Sequence, residues 1–296
     1  MARHPSFNVS PITMSQNFRS PHICYNDPRK RGAIQMAVIE NQVAVRGQTF
    51  HWYESGQGRP VVMLHGGGGT GRAFLAQMEQ LGERGMRVLA PDMPGFGKSD
   101  WFDGVSRVSD IGPIVFEWLD ALECERAVIG GNSMGGRVAL SMASREPDRV
   151  LALIILDSVG LHLPDVPVIN PLSLPMAQYT QGLVYDTERY RSETPYRTLD
   201  DARELNRGRI SFAKYMDHGE LRSDPHLDLA RLTMPVLLVW GREDRIVPIA
   251  YGQALHERLE TSELVIIDQC GHLPHIEEKD ITNRAIIDFL TRRQII

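Results

Sequence analysis

Short apolar runs alternate with stretches of helical periodicity along most of the chain. Residues 43–45 and 49–53 predict two paired strands, and helices are predicted at 73–81, 111–122 and 134–143. Six further apolar runs predict buried strands, at 60–64, 87–90, 127–129, 150–156, 236–240 and 264–267. Alternation of near-continuous apolar strands with helices indicates an α/β fold, in which a mostly parallel sheet is flanked by helices.

Residues 160–231 interrupt this alternation. They hold four closely spaced prolines, then polar helix-like segments, and five of the eight tyrosines. A long structureless loop inside a compact domain is uncommon, so we predict an inserted helical lid over the sheet edge where α/β proteins bind ligands. The alternative is a surface insertion that lies away from any functional site. The predicted core is then formed by residues 38–159 and 232–296.

The first 37 residues fall outside the pattern. Residues 1–32 carry four prolines and the basic triplet Arg29-Lys30-Arg31, and no apolar stretch of signal-peptide length follows a charged start. We expect residues 1–37 to form a loosely ordered leader. An arm that contacts another subunit and an unusual targeting segment are the alternatives.

The amino-acid composition excludes several classes of function. The 296 residues are 42% hydrophobic and 23% charged, which is typical of a globular protein. Lys plus Arg number 32 against 37 for Asp plus Glu, a balance that leaves no basic surface for nucleic acid or an anionic membrane. The longest apolar run, at 150–156, is far shorter than the roughly 18 residues that span a bilayer.

The three cysteines, Cys24, Cys124 and Cys270, are too far apart for a metal knuckle or a CxxC pair. An odd, sparse count fits a reducing compartment, so we expect a soluble cytoplasmic enzyme. The histidines show neither HxH nor HExxH spacing, so no metal and no cofactor is expected. The predicted partner is a small-molecule substrate, and assembly into homo-oligomers stays open.

The strongest chemical signal is Gly131-Asn132-Ser133-Met134-Gly135, between a predicted strand and a predicted helix. A serine on a sharp strand-to-helix turn needs small neighbours, because its backbone is forced into a strained conformation. The turn exposes the hydroxyl at the positive end of the helix dipole. Ser133 is therefore predicted to be a nucleophile, and a glycine-rich packing turn whose serine caps the helix is the alternative.

A run of four glycines, at 66–69, follows His65 and the strand predicted at 60–64. Glycines there let the main chain approach a substrate. We predict that the Gly67 and Met134 N–H groups form an oxyanion hole, in which each donor contributes roughly 3–4 kcal/mol. Gly66 and Gly68 are alternative donors and predicted substrate contacts. A phosphate-binding loop is disfavoured, since neither a Gly-Lys-Ser/Thr ending nor a helix-opening GxGxxG is present.

Over about residues 40–295 the chain resembles enzymes of the α/β-hydrolase fold. The resemblance rests on the segments already described at 65–69 and 131–136, on Pro-Asp-Met-Pro-Gly-Phe-Gly-Lys-Ser-Asp at 91–100, and on two later motifs. These are Trp-Gly-Arg-Glu-Asp-Arg-Ile-Val-Pro at 240–248 and Gly-His-Leu-Pro-His-Ile-Glu at 271–277. The resemblance implies a triad in the order Ser…Asp…His.

Ser133 needs a base and an orienting carboxylate. His272 follows the last predicted strand in a loop that a glycine introduces, and we predict it as the base; His275 is the near neighbour. Asp244 follows the preceding strand and matches the family's acid position, with Asp157, one strand earlier, as the alternative. Ser133 would attack a carbonyl, His272 would transfer the proton, and water would discharge the acyl-enzyme.

The glycine loop and Gly-Asn-Ser-Met-Gly-Gly are also similar to the carbon–carbon bond hydrolases that split ring-cleavage products of aromatic catabolism. The chain departs from that group at Gly69, where proline is usual, and at Leu273, a predicted substrate contact where tryptophan is usual. The resemblance offers Arg207 or Arg209 as a carboxylate-binding arginine, and solvated arginines are the alternative.

The sequence therefore favours a carboxylic-ester or related acyl hydrolase. Carbon–carbon bond hydrolysis is the alternative. A small-molecule receptor and a cofactor-free haloperoxidase or perhydrolase, both of the same fold, are further alternatives.

Overall fold

The computed structural model describes residues 37–216 and 227–296. The predicted leader lies outside the described residues, apart from Ala37. In the described part of the chain eight strands form one sheet: β1 (Ile39–Val45), β2 (Gln48–Ser55), β3 (Arg59–Leu64), β4 (Met86–Pro91), β5 (Ala127–Asn132), β6 (Val150–Leu156), β7 (Val236–Gly241) and β8 (Ser262–Ile267).

The strand order is β1-β2-β4-β3-β5-β6-β7-β8. Strand β2 pairs antiparallel with β1 and β4, and all the other pairings are parallel. Every residue of β5 and β7 is buried, as expected for central strands that are covered on both faces. The predicted mostly parallel α/β sheet is thereby confirmed.

Helices cover both faces of the sheet. Those of the core are α1 (Leu75–Gly82), α2 (Ile111–Ala121), α3 (Met134–Arg145), α7 (Ala250–Arg258), α8 (Pro274–Glu277) and α9 (Lys279–Arg292). Apolar side chains of α2, α3 and α7 form one buried cluster with the sheet, and those of α1 and α9 form the other. Short 3₁₀ turns lie at Gly71–Phe74, Val108–Asp110, Pro147–Arg149, Pro171–Ser173 and Leu229–Arg231.

In the described part of the segment between β6 and β7, for which a lid is predicted, the structure has three α-helices: α4 (Met176–Leu183), α5 (Thr187–Glu193) and α6 (Leu199–Met216). One face of α6 is bonded to the loop that follows β4. Its Arg207, Ser211 and Tyr215 side chains donate to the carbonyls of Gly97, Gly95 and Pro94, at 2.8, 2.5 and 2.9 Å. Because these hydrogen bonds hold α6 against the core, we propose that residues 160–231 form a lid. Residues 217–226 lie outside the described residues.

Among the helices that the structure describes, none is both long and apolar enough to cross a membrane.

Candidate active site

Ser133 lies on the turn between β5 and α3 with φ 54° and ψ −115°. A left-handed backbone at a residue other than glycine costs roughly 1–2 kcal/mol, so its surroundings must impose it. The Ser133 N–H donates to the Leu156 carbonyl at 3.0 Å. Close packing explains the following glycine: a Cβ on Gly135 would lie 2.0 Å from the Leu64 carbonyl oxygen.

His272 and Asp244 form a buried hydrogen-bonded pair. Their Nδ1 and Oδ2 atoms are 2.7 Å apart, and the other oxygen of Asp244 accepts from the N–H groups of Ile246 and Val247 at 2.7 and 3.1 Å. Three donors therefore hold the carboxylate in a fixed orientation. With Nδ1 directed at Asp244, the imidazole keeps Nε2 for proton transfer.

Backbone contacts of His272 fix the loop that carries it. Its N–H donates to the Leu183 carbonyl of α4 at 2.7 Å, and its carbonyl accepts from Asn132 Nδ2 at 2.9 Å. Asn132 immediately precedes Ser133, so one side chain ties the serine turn to the histidine loop.

Asp157, the alternative acid, follows β6 and is fully buried. Its Oδ1 accepts from the Gly241 N–H at 2.9 Å, whereas the hydrogen bond to His272 belongs to Asp244. Burial, and next the neighbouring Asp244 charge, raise the pKa of Asp157 well above its usual range. The geometry thus favours Asp244 over Asp157 as the partner of the imidazole.

Donor atoms of Asp157, Asp244 and His272 all lie within 4.8 Å of one another, which makes this the one group in the described residues that could hold a metal ion. A metal bound there would have to displace the short His272–Asp244 hydrogen bond. The arrangement is that of a hydrogen-bonded histidine–aspartate pair rather than of a preformed tetrahedral site.

Two residues of the glycine loop, Gly66 and Gly67, are packed too closely to carry side chains. A Cβ on Gly66 would lie 2.7 Å from Asn132 Oδ1, and one on Gly67 would lie 2.4 Å from the Phe212 ring of α6. Gly68 has φ +86°, in the left-handed region that glycine adopts at little cost. Met134 opens α3, so its N–H is among those without an intrahelical acceptor. Gly67 and Met134 remain the proposed oxyanion donors.

A second buried histidine–carboxylate pair supports the neighbouring loop. His51 Nδ1 lies 2.9 Å from Asp92 Oδ2, and Asp92 also accepts from the N–H groups of Gly71 and Lys98. Burial opposes ionisation of Asp92, but these hydrogen bonds outweigh it and hold its pKa below the usual value. This pair shapes the loop after β4, on which α6 rests.

Ser133 and His272 line one cavity of about 120 Å³ beneath the three helices between β6 and β7. Its wall includes the predicted contacts Gly66, Gly68, Leu273 and Arg209. The Arg209 guanidinium carbon lies 4.2 Å from the centre of the Tyr179 ring. Most of the remaining wall is apolar, and its other members include Val159, Val168, Ile169, Leu183, Phe212, Ile246 and Val247.

Arg207 is not part of this cavity, which corrects its prediction as a substrate contact. Its guanidinium donates to the Gly97 carbonyl. Two residues along a helix turn the side chain by about 200°, so Arg207 and Arg209 point to different sides of α6.

Several cavity residues carried no sequence prediction of a site role. Tyr179, Tyr190 and Tyr196 line the cavity, and the excess of tyrosines in residues 160–231 was their only sequence signal. His275 also lines it and stacks on Phe74 at 4.8 Å. Burial, and next the nearby His272, lower the pKa of His275 to about 3, so this imidazole is neutral.

Sequence comparison with known proteins identifies the family. The model of the alpha/beta hydrolase family matches residues 61–285. The chain is 32% identical over 261 residues to 2-hydroxy-6-oxononadienedioate/2-hydroxy-6-oxononatrienedioate hydrolase 1 of Pseudomonas putida, covering 82% of this chain and 92% of the relative. A 2-hydroxy-6-oxo-6-phenylhexa-2,4-dienoate hydrolase of Comamonas testosteroni is 31% identical over 262 residues, with coverage of 82% and 92%.

A solved structure gives the same result. The 2-hydroxy-6-oxo-6-phenylhexa-2,4-dienoate hydrolase of Rhodococcus sp. strain RHA1 superposes with a TM-score of 0.70 at 25% identity, covering 86% of this chain and 99% of that one. The chain therefore belongs to the alpha/beta hydrolase family and is a hydrolase.

Proposed function

We propose that the chain is a serine-dependent carbon–carbon bond hydrolase that acts on 2-hydroxy-6-oxo-dienoates with one carboxylate. The observation that carries the proposal is Arg209, a cation in the wall of the cavity that Ser133 and His272 also line. Relatives that are 31–32% identical are named for hydrolysis of 2-hydroxy-6-oxo-dienoates, one of a dicarboxylate and one of a 6-phenyl monocarboxylate, which supports cleavage of a carbon–carbon bond but not the number of carboxylates. The expected carboxylic-ester activity becomes the second candidate.

The proposed chemistry uses the site as built. A simple ketone resists cleavage because its leaving group would be an unstabilised carbanion. Moving the proton of the 2-hydroxyl group to C5 first turns the dienol into a vinylogous diketone, so that C5 can depart as part of a stabilised dienolate. His272 would transfer that proton. Ser133 then attacks the C6 carbonyl, and the Gly67 and Met134 N–H groups would receive the developing oxyanion.

Cleavage of the C5–C6 bond leaves C6 on Ser133 as an acyl-enzyme and releases a dienolate. The proton that His272 took from Ser133 passes to this dienolate and gives the 2-hydroxydienoate. Water, deprotonated by His272, adds to the acyl group and releases a carboxylic acid. Asp244 stabilises the imidazolium that forms in each half of the reaction.

The charge of the cavity supports the choice of a monocarboxylate. Arg209 is the one Lys or Arg among the described residues of its wall, and His275 is neutral. One carboxylate can pair with Arg209, whereas a second, placed against the apolar side, would lose its hydration without a partner. We therefore expect an apolar substituent at C6 rather than a second acid.

Leu273 favours the second candidate, hydrolysis of esters. It lines the cavity directly after His272, at the position where the carbon–carbon hydrolases usually have tryptophan. An ester needs no ketonisation, because its alkoxide leaving group departs directly from the tetrahedral intermediate. The same triad would serve that reaction.

A substrate panel separates the candidates. The purified protein is assayed with 2-hydroxy-6-oxo-dienoates that carry methyl, phenyl or carboxyethyl groups at C6, and with aryl esters of matched acyl groups. We expect the highest kcat/KM for the methyl and phenyl dienoates, and loss of turnover in Ser133→Ala. Preference for the esters would support the second candidate. Binding with almost no turnover would indicate a receptor, and peroxide-dependent oxidation with short acids a perhydrolase.

A further inference from the structure

Asp157 is a buried carboxyl group for which the proposed triad has no role. It lies at the carboxyl end of β6 with φ +43°, which is rare outside glycine and is tolerated best by Asn and Asp. Its side chain is fully buried, and its Oδ2 atom has no hydrogen-bond partner among the described residues while Oδ1 accepts from Gly241. An oxygen without a partner at such a site needs an explanation.

The neighbourhood of Asp157 is negative. It faces Asp244 from the loop after β7, and His272, Cys270 and Glu277 from the segment after β8. Glu277 accepts from the Gly271 and Tyr185 N–H groups, and Asp244 from three N–H donors. Burial raises the pKa of the Cys270 thiol, which is therefore neutral. An ionised Asp157 would be a further buried carboxylate facing at most one cation, His272.

The number of N–H donors to each aspartate determines which of the two carboxyl groups holds a proton. Asp244 accepts three N–H hydrogen bonds and Asp157 accepts one. Two adjacent buried carboxyl groups share one negative charge, and the charge stays on the group with more donors. The proton is then on Asp157, and the unpartnered Oδ2 becomes an O–H donor next to an acceptor.

We propose that Asp157 is a neutral positioning residue of the triad, whose carboxylic acid donates a hydrogen bond to the Asp244 carboxylate. This inference rests on the proposed function, in which Asp244 orients His272. The bond fixes the rotation of the Asp244 carboxylate and withdraws charge from it, which limits the basicity of the imidazole. Asp157 thereby acts on the reaction through Asp244 and touches no substrate atom.

Two substitutions distinguish a hydrogen-bonding role of the Asp157 side chain from a role in filling space. Asp157→Asn keeps the shape, the tolerated backbone and an N–H donor toward Asp244, whereas Asp157→Ala removes the donor. We expect Asp157→Asn to keep kcat and the pH profile close to wild type. Asp157→Ala should lose about 10- to 100-fold in kcat, the range for a hydrogen bond to a charged group, with KM little changed. The acidic limb of the pH–kcat profile of Asp157→Ala should move to higher pH, because an Asp244 carboxylate that keeps more of its charge stabilises the imidazolium of His272.

The pH dependence of folding stability tests the protonation of Asp157 without an activity assay and without the alanine variant. A folded-state pKa above the unfolded value means that the wild-type fold loses stability as pH rises from about 4 toward that folded pKa. Asp157→Asn lacks this proton. Its unfolding equilibrium constant, relative to wild type, should fall by up to about tenfold per pH unit over that window in urea titrations.

Each result is decisive. Wild-type kcat and pH profile in Asp157→Ala, or a stability difference between wild type and Asp157→Asn that does not vary with pH, would overturn the proposal. A loss of about 10⁴-fold in Asp157→Asn, with Asp244→Asn still active, would make Asp157 the orienting acid instead. Undiminished turnover in Ser133→Ala would refute the proposed function itself, whatever Asp157 does.

Discussion

Replacing Arg209 by glutamine tests the substrate class that we propose. Glutamine keeps most of the length and polarity of the side chain but removes the one permanent cation in the described cavity wall. If Arg209 pairs with the dienoate carboxylate, the variant should bind that substrate more weakly. A neutral aryl ester, which has no carboxylate to lose, should be turned over almost as before.

The expected loss in kcat/KM follows from the extent to which Arg209 is buried. Loss of one partner from a fully buried charge pair costs about 2–5 kcal/mol, and the half-buried position of Arg209 on Tyr179 places it at the lower end. About 2–3 kcal/mol corresponds to a fall of about 30- to 150-fold in kcat/KM. Because the carboxylate is bound before and during the reaction, most of this loss should appear in KM.

Arg207→Gln is the matched control. It lies on the same helix, two residues away, and its guanidinium bonds to the Gly97 carbonyl outside the cavity. Steady-state kinetics are measured for both variants with a 6-methyl dienoate and with phenyl acetate. Equal effects of the two substitutions, or an equal loss with ester and dienoate in Arg209→Gln, would refute the assignment of Arg209.

Two further predictions concern the glycine loop and α6. Gly67→Ala should reduce kcat by about 10²–10³-fold, because its Cβ meets the Phe212 ring at 2.4 Å and displaces the proposed oxyanion donor, whereas Gly69→Ala, at 3.3 Å from its nearest neighbour, should be mild. Equal rates in the two variants would contradict this. Tyr215→Phe should lower the free energy of unfolding by about 1–3 kcal/mol, since the buried Pro94 carbonyl loses its donor. An unchanged urea midpoint would show that this bond contributes nothing.

The sheet and the serine turn could be predicted because their causes are local. Apolar runs such as 150–156 have the length and composition of strands buried on both faces, and Val150–Leu156 is such a strand. The glycines around Ser133 are required by the turn itself, since a side chain at Gly135 would collide with β3. Short-range rules are therefore sufficient for these features.

Features that depend on neighbours distant in sequence could not be predicted. The family resemblance offers both Arg207 and Arg209, and only the orientation of α6 shows which of them lines the cavity. Likewise Asp157 and Asp244 lie 87 residues apart in the chain, and their carboxyl groups are neighbours because β6 and β7 are adjacent parallel strands that end at the same edge. The sequence names the two aspartates as alternatives, whereas the structure places a side-chain oxygen of one within 4.8 Å of a side-chain oxygen of the other.

Product analysis with a single substrate tests the central claim most directly. The wild-type protein and Ser133→Ala are each incubated with 2-hydroxy-6-oxo-6-phenylhexa-2,4-dienoate, and benzoate is quantified by mass spectrometry. The account predicts stoichiometric benzoate and 2-hydroxypenta-2,4-dienoate from the wild type and neither product from Ser133→Ala. Absence of benzoate from a wild-type sample that hydrolyses phenyl acetate, or equal benzoate from both proteins, would contradict it.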